Sequence, residues 1–280
     1  MKIKAHSKVN LTLDIVGKKE NGYHLLKTIM QSLELADVVD VELAEKDIQV
    51  KTSLKYLPDD KNNIAYKAAD AFFKYFNLNC GAKIYIEKNI PVAAGMAGGS
   101  TDGAAVIKAL NRLTGINADV ETLIKIGETV GADIPFCIVG GTVLCEGIGE
   151  ILTPLKCLEP CPVLIAKPDF PISTVEIFKK VKLGDMKHHP DTEGAMKAIE
   201  KGNLYDLSKR MYNVLEEITA SEKPVIKEIE SVMLDNNAMC SLMTGSGPTV
   251  FGLFESVDDA KKAEQALKQF NIFTCVTKLN

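Results

Sequence analysis

Apolar and polar residues alternate from Ile3 to Val16, the period-two signature of a strand with one buried face. The segment KKENGYH follows, and its Asn21-Gly22 pair is the strongest short hairpin signal in the chain, so the first structure is expected to be a β-hairpin. A further strand is expected at Asp37 to Leu43. From about Asn62 to Phe76 the period changes, with Ile64, Ala68, Phe72 and Tyr75 recurring at helical spacing. Ala82 to Ile86 reads as strand again. The stretch IPVAAGMAGGSTDGAAVIKALNRLTG then passes from a Pro-initiated, Gly-rich loop into a helix that Gly115 ends. Helical spacing resumes from Val120 to Val130, and ADIPFCIVGGTVLCEGIG predicts a short loop followed by a β-rich segment.

The Pro-rich run around Pro154, Pro160 and Pro162 marks a shift in composition and places a domain boundary near residue 155, dividing the chain into 1–155 and 156–280. Beyond it, β-like runs (Val163 to Ala166, Met239 to Met243, Thr249 to Phe254, Phe273 to Thr277) alternate with helices near Thr174, Glu193, Leu204, Lys223 and Val257. That order predicts an α+β sandwich.

Composition narrows the function without naming it. With 280 residues, 46% hydrophobic and 25% charged, the chain has ample material for a folded core. A formal net charge of -4 with no basic stripe argues against nucleic acid as a partner. No apolar stretch approaches a bilayer span and no signal-peptide core can be drawn at the N-terminus, so no membrane partner and a cytoplasmic location are expected. Seven scattered Cys do not make a disulfide framework. Cys157 and Cys161 lack the second half of a zinc site, and His188 and His189 lie in an acidic loop.

Four segments carry candidate chemistry. Pro91-Val92-Ala93-Ala94-Gly95-Met96-Ala97-Gly98-Gly99-Ser100-Thr101 has glycines that let backbone N–H groups approach phosphate oxygens, a helix whose dipole points at them, and hydroxyls that donate or cap. It has neither the Lys of a P-loop nor the glycine spacing of a dinucleotide fingerprint, and a plain helix-capping turn is the alternative. Lys8 and Asn10 share one strand face, as a solvent-facing edge or as two converging polar groups. Asp133 lies between a helix end and Pro135, a position suited either to a proton-accepting carboxylate or to an ordinary turn residue. Gly245, Ser246 and Gly247 form a turn that can press on a ligand or on the first Gly-rich loop, or merely connect strands.

The Lys8/Asn10 strand, the central Gly/Ser loop and the C-terminal glycine turn, in that order, resemble the three motifs of the GHMP kinase superfamily. The similarity runs from about Ile3 to Phe254. It implies an α+β, two-domain GHMP kinase fold, with an N-terminal ribosomal-protein-S5-like domain and a C-terminal ferredoxin-like domain, and ATP and acceptor meeting in the cleft between them. It further implies that Asp133 is the general base, that Lys8 polarises the acceptor hydroxyl, that Asn10 positions it, and that residues 91–101 wrap the ATP phosphates. Mg²⁺ is implied with ATP, Ser100 being the first candidate to touch it. Tyr23 and His24 would grip the cytidine end of a small cytidylated acceptor, with Phe178 as a second stacking face. The NGYH hairpin and Phe178 separate this reading from kinases of homoserine or mevalonate, and retention of Lys8 and Asp133 separates it from a non-catalytic relative. Two departures stand out: His6-Ser7 where the superfamily has Pro-Ala, and Ala97 where it often has Gly.

Overall fold

A computed structural model describes residues 1–20, 22–186 and 188–280, with Asp185 described by its backbone alone. The expected Asn21-Gly22 turn therefore falls partly outside the described residues, although the Lys19 amide donates to the Tyr23 carbonyl at 2.7 Å on either side of it. The chain forms two compact units that interleave along the sequence: residues 1–7, 35–90 and 97–140 in one, and residues 8–34, 91–96 and 141–280 in the other. Strands β1 (Lys2–Lys18) and β2 (His24–Ala44) contribute residues to both.

In the first unit, β2 pairs antiparallel with β4 (Gly81–Glu87), and β3 (Ile48–Thr52) pairs parallel with β4. Helices α1 (Ile64–Tyr75), α2 (Gly98–Leu113), α3 (Val120–Glu128) and α4 (Ile134–Val139) pack on one another. Asn63 caps α1 by accepting from the Ala65 amide, and Asp119 caps α3 through Thr122. Val39, Val41, Ile84 and Ile86 on the strands and Phe72, Ile107 and Phe136 on the helices are all buried. Ile134–Val139 corrects the sequence reading, which had loop and strand there. A short apolar run has no periodicity to separate the two, and Pro135 in the first turn starts a helix that Gly140, at φ +72°, stops.

In the second unit, β7 (Pro162–Lys167), β9 (Ala238–Met243), β10 (Val250–Phe254) and β11 (Phe273–Lys278) form an antiparallel sheet in the order β11-β7-β10-β9. Counted from β7 this is 4-1-3-2, the order of a ferredoxin-like split βαβ unit. Helices α9 (Val225–Asp235) and α10 (Val257–Leu267) cover it, with Ile226, Ile229 and Met233 meeting Leu164, Val250 and Phe254. Also here are β5 (Thr142–Gly147) and β6 (Ile151–Pro154), which extend from β2, and the two-residue β8 (Tyr212–Asn213), which runs parallel to β1. Helices α5 (Thr174–Lys180), α6 (Thr192–Glu200), α7 (Leu204–Ser208) and α8 (Val214–Glu222) complete the unit. Among the described residues no helix is long and apolar enough to cross a membrane.

Candidate active site

Strand β1 positions the first two candidate residues by simple alternation. Leu13 and Ile15 enter the core of the second unit, and Lys8, Asn10, Thr12 and Asp14 turn to the other face, yet all four are also buried. The solvent-edge alternative for Lys8 and Asn10 is thereby excluded. Lys8, only 4% exposed, donates from Nζ to Asn10 Oδ1 at 2.8 Å and to the Gly95 carbonyl at 3.0 Å. Both acceptors are neutral, and a side chain with three N–H donors so placed has capacity left for a further acceptor. Asn10 is fixed in turn: its Nδ2 donates to Thr28 Oγ1 at 2.8 Å, its Oδ1 accepts from Thr244 Oγ1 at 3.1 Å, and its backbone N–H donates to the same hydroxyl at 3.0 Å.

Thr244 begins the C-terminal glycine turn, which rests backbone on backbone against the central loop. Gly95 has φ +71°, and a Cβ there would lie 2.6 Å from the Thr244 carbonyl oxygen; one on Gly245, at φ +59°, would lie 3.1 Å from the Gly95 oxygen. Only glycine gives both the left-handed backbone and the close approach. Asn213 Nδ2 pins the turn by donating to the carbonyls of Met243 (2.7 Å) and Gly245 (2.8 Å), while Glu216 Oε2 accepts from the Met243 amide at 2.7 Å. The Ser246 hydroxyl lies 2.9 Å from Thr174 Oγ1 at the start of α5.

The rest of the phosphate-loop candidate lies in the first unit. Ala97, at φ +59° and ψ +26°, is the N-cap of α2 and gives no side-chain cap, leaving the amides of Gly98, Gly99 and Ser100 without a side-chain acceptor. Ser100 and Thr101 do not cap, contrary to the sequence reading, because the helix starts at Gly98 and places both inside its first turn; Thr101 Oγ1 donates instead to the His6 carbonyl at 2.7 Å. Amides without a side-chain cap at the positive end of a 16-residue helix dipole are an arrangement that favours anions.

Behind that helix start lies a buried charge cluster the sequence did not announce. Lys88 Nζ donates to Asp102 Oδ2 at 2.7 Å and to Asp37 Oδ2, and a Cβ on Gly98 would lie 3.5 Å from that ammonium. Asp37 Oδ1 also accepts the amides of Asn89 (2.5 Å) and Ile90 (2.8 Å), whereas Asp102 Oδ1 has no hydrogen-bond partner among the described residues. Burial, with the neighbouring Asp37 charge, pushes the Asp102 carboxyl up to about 8 in spite of Lys88. Lys88 itself is raised: burial would lower it, but the two carboxylates outweigh that. Asp37 thus collects three donors, and Asp102, raised by its burial, is the carboxyl that holds a proton near neutrality.

Asp133 occupies the N-cap position of α4 in αR conformation (φ -85°, ψ -10°) and makes no side-chain cap bond, so its carboxylate is not spent on the helix. In the second unit, His24 and Phe178, 154 positions apart, come together with ring centroids 5.5 Å apart and planes tilted by 40°. Burial and the nearby Lys18 charge hold the His24 imidazole below its ordinary range, favouring the neutral ring. Tyr23 beside it is 62% exposed. Sequence reasoning missed Thr28, Asn213 and the Lys88 cluster; of these only Asn213, a capping residue type before an apolar helix, had a local signal.

Two family models match the chain: GHMP kinases N terminal domain over residues 63–141 and GHMP kinases C terminal over residues 195–272. Together with the fold they make it an ATP-dependent kinase of the GHMP class. A 4-diphosphocytidyl-2-C-methyl-D-erythritol kinase from Caldicellulosiruptor saccharolyticus is 46% identical over 271 residues, covering 96% of this chain and 93% of the relative. The enzyme of the same name from Clostridium perfringens is 46% identical over 269 residues, with 96% and 93% covered. A crystal structure of 4-(cytidine 5'-diphospho)-2C-methyl-D-erythritol kinase superposes with a TM-score of 0.86 at 31% identity, covering 100% of this chain and 99% of that one. Homoserine kinase from Cytophaga hutchinsonii, at 18% identity and a TM-score of 0.79, shares the fold. The chain belongs to the 4-diphosphocytidyl-2-C-methyl-D-erythritol kinase family.

Proposed function

We propose that the protein transfers the γ-phosphoryl group of ATP to the 2-hydroxyl of 4-diphosphocytidyl-2-C-methyl-D-erythritol, giving the 2-phosphate and ADP in the non-mevalonate supply of isoprenoid precursors. The observation that carries this reading is Lys8, a buried side chain whose acceptors among the described residues are the neutral oxygens of Asn10 and of Gly95 in the phosphate-loop candidate. In this reading Lys8 draws electron density from the acceptor hydroxyl and offsets charge as it develops, with Asn10, locked by Thr28 and Thr244, fixing the hydroxyl's direction. Asp133 accepts the hydroxyl proton. The loop from Pro91 to Thr101 takes the ATP phosphates on its amides, and the turn at Gly245, Ser246 and Gly247 holds Gly95 in place. Tyr23, His24 and Phe178 take the cytosine, whose polar edge a neutral His24 can both donate to and accept from.

Mg²⁺ fits this site as a companion of ATP rather than as a protein-caged ion. Among the described residues no group of three His, Cys, Asp or Glu side chains could hold a metal, and the oxygen donor at the phosphate loop is the Ser100 hydroxyl in the first turn of α2. Bound there, the ion would neutralise phosphate charge and keep several waters. The boundary near residue 155 is retained, supported by the two family models falling on either side of it. A cytoplasmic location fits seven cysteines scattered without the spacing of a disulfide framework. A net charge of -4 without a basic stripe speaks for small molecules rather than nucleic acid or a membrane surface as partners.

A coupled ADP-release assay with ATP and Mg²⁺, offering the cytidylated erythritol beside homoserine and mevalonate, tests the reading. ADP release with the cytidylated substrate alone is expected. Release with homoserine or mevalonate instead would remove the cytosine roles of Tyr23, His24 and Phe178, and silence with all three would reject the reading.

A further inference from the structure

The polar face of β1 does not end at Asn10. Two positions further along the same face than Thr12, Asp14 points a mostly buried carboxylate whose Oδ1 accepts from the Ile15 amide at 2.8 Å and from His189 Nδ1 at 2.7 Å. Because a carboxylate only accepts, the bond places the His189 proton on Nδ1 and leaves Nε2 free to engage a ligand. His189 is 49% exposed, and its loop lies over β8, with the His188 ring 6.5 Å from Tyr212, the residue paired with Thr12. Asp14, bonded to His189, therefore continues the strand face whose Lys8 and Asn10 are assigned to the acceptor hydroxyl.

We propose that Asp14 and His189 bind the ribose 2′,3′-diol of the cytidylated acceptor and make the enzyme selective for ribo- over deoxyribonucleotides. The inference rests on the substrate reading above. Two observations choose the ribose over the other parts of that molecule. The first is reach: Asp14 lies four residues beyond Asn10, about 13 Å along a strand. In the substrate the acceptor carbon and the ribose 3′-carbon are separated by about ten bonds, roughly 12 Å at the spacing of an extended chain. The second is charge. The cation that feels the Asp14 charge among the described residues is Lys27, whose ammonium is taken by Glu193 at 2.6 Å and whose ladder partner is Glu146. Among the described residues Asp14, Glu146 and Glu193 act together on that one ammonium, a balance that repels a diphosphate and suits neutral hydroxyls that donate to oxygen and to imidazole nitrogen.

The test compares CDP with 2′-deoxy-CDP by titration calorimetry, alongside turnover of the full substrate, for wild type, Asp14→Asn and His189→Ala. The half-exposed His189 can be removed without opening the core, so that variant keeps the test valid if Asp14→Asn folds poorly. Wild type is expected to bind CDP roughly tenfold or more tightly than the deoxy form, the worth of one hydrogen bond to a charged group. Each variant should bring that ratio near one, with the loss appearing in KM rather than kcat. Equal binding of the two nucleotides by wild type, or an unchanged ratio in both variants, overturns the ribose site while leaving substrate turnover intact. Absence of turnover by wild type would instead overturn the substrate reading on which the proposal depends.

Discussion

Replacing Asp102 with Asn tests the charge state of the cluster behind the phosphate helix. Lys88 lies between two carboxylates, its side chain and theirs only 5%, 0% and 6% exposed for Lys88, Asp37 and Asp102. Three buried charges of that kind sum to -1, and a proton on Asp102 makes the cluster neutral. With its carboxyl raised from 3.8 to about 8 in the folded chain, Asp102 binds a proton that the unfolded chain has already lost. Its contribution to stability is fully present below the unfolded value and is lost as pH rises through the folded one. The slope is about 1.4 kcal/mol per pH unit, so wild type should lose roughly 2 kcal/mol between pH 6 and pH 8 through this group, the upper limit being softened as titration nears completion.

Asn is close in shape to the protonated acid and cannot ionise. Urea denaturation of both proteins at pH 6, 7 and 8 isolates the group, because all other titrations cancel in the difference. Asp102→Asn should be near wild type at pH 6 and gain on it by roughly 2 kcal/mol by pH 8. The contrary view takes the 2.7 Å contact as a permanent ion pair. Removing one partner of a buried pair costs about 3 to 5 kcal/mol, independent of pH over this range. A variant that is destabilised by that much and runs parallel to wild type would refute the assignment of the proton to Asp102.

Lys8→Met keeps the length and burial of the side chain but removes the ammonium; the protein should melt cooperatively while kcat falls by about 10²- to 10³-fold in steady-state assays. Asp133→Asn, at a position that makes no cap bond, should fold and bind ATP normally and lose about 10²- to 10⁴-fold in turnover, and near-wild-type kcat would end its role as base. Ala97→Gly should raise the thermal midpoint, since Ala at φ +59° pays about 1 to 2 kcal/mol for the left-handed conformation and the freer unfolded chain of Gly returns only part of that. No gain in a thermal melt would mean that the loop relaxes out of that conformation.

What could be read in the sequence and what could not divide along the range of the interactions. The β1 alternation, the helical stripe of α1 and the glycines of the central loop are local patterns, and each forms the element expected of it. The parallel strand β3 was not anticipated, because five residues with one fully buried side chain carry too little pattern to stand out from the loops around them. At the site, the residue types of Lys8 and Asn10 were visible, but their burial was not. It depends on Thr244, 234 positions from Asn10, and on Gly95 meeting Gly245, encounters that no window of neighbouring residues contains. Lys88, Asp37 and Asp102 are likewise 51 and 14 positions apart in sequence and individually resemble the solvated charges found throughout this chain. Ala97 shows the two kinds of information meeting: a methyl group where glycine is usual is legible in the chain itself, and the left-handed backbone turns it into a strain that Ala97→Gly can measure.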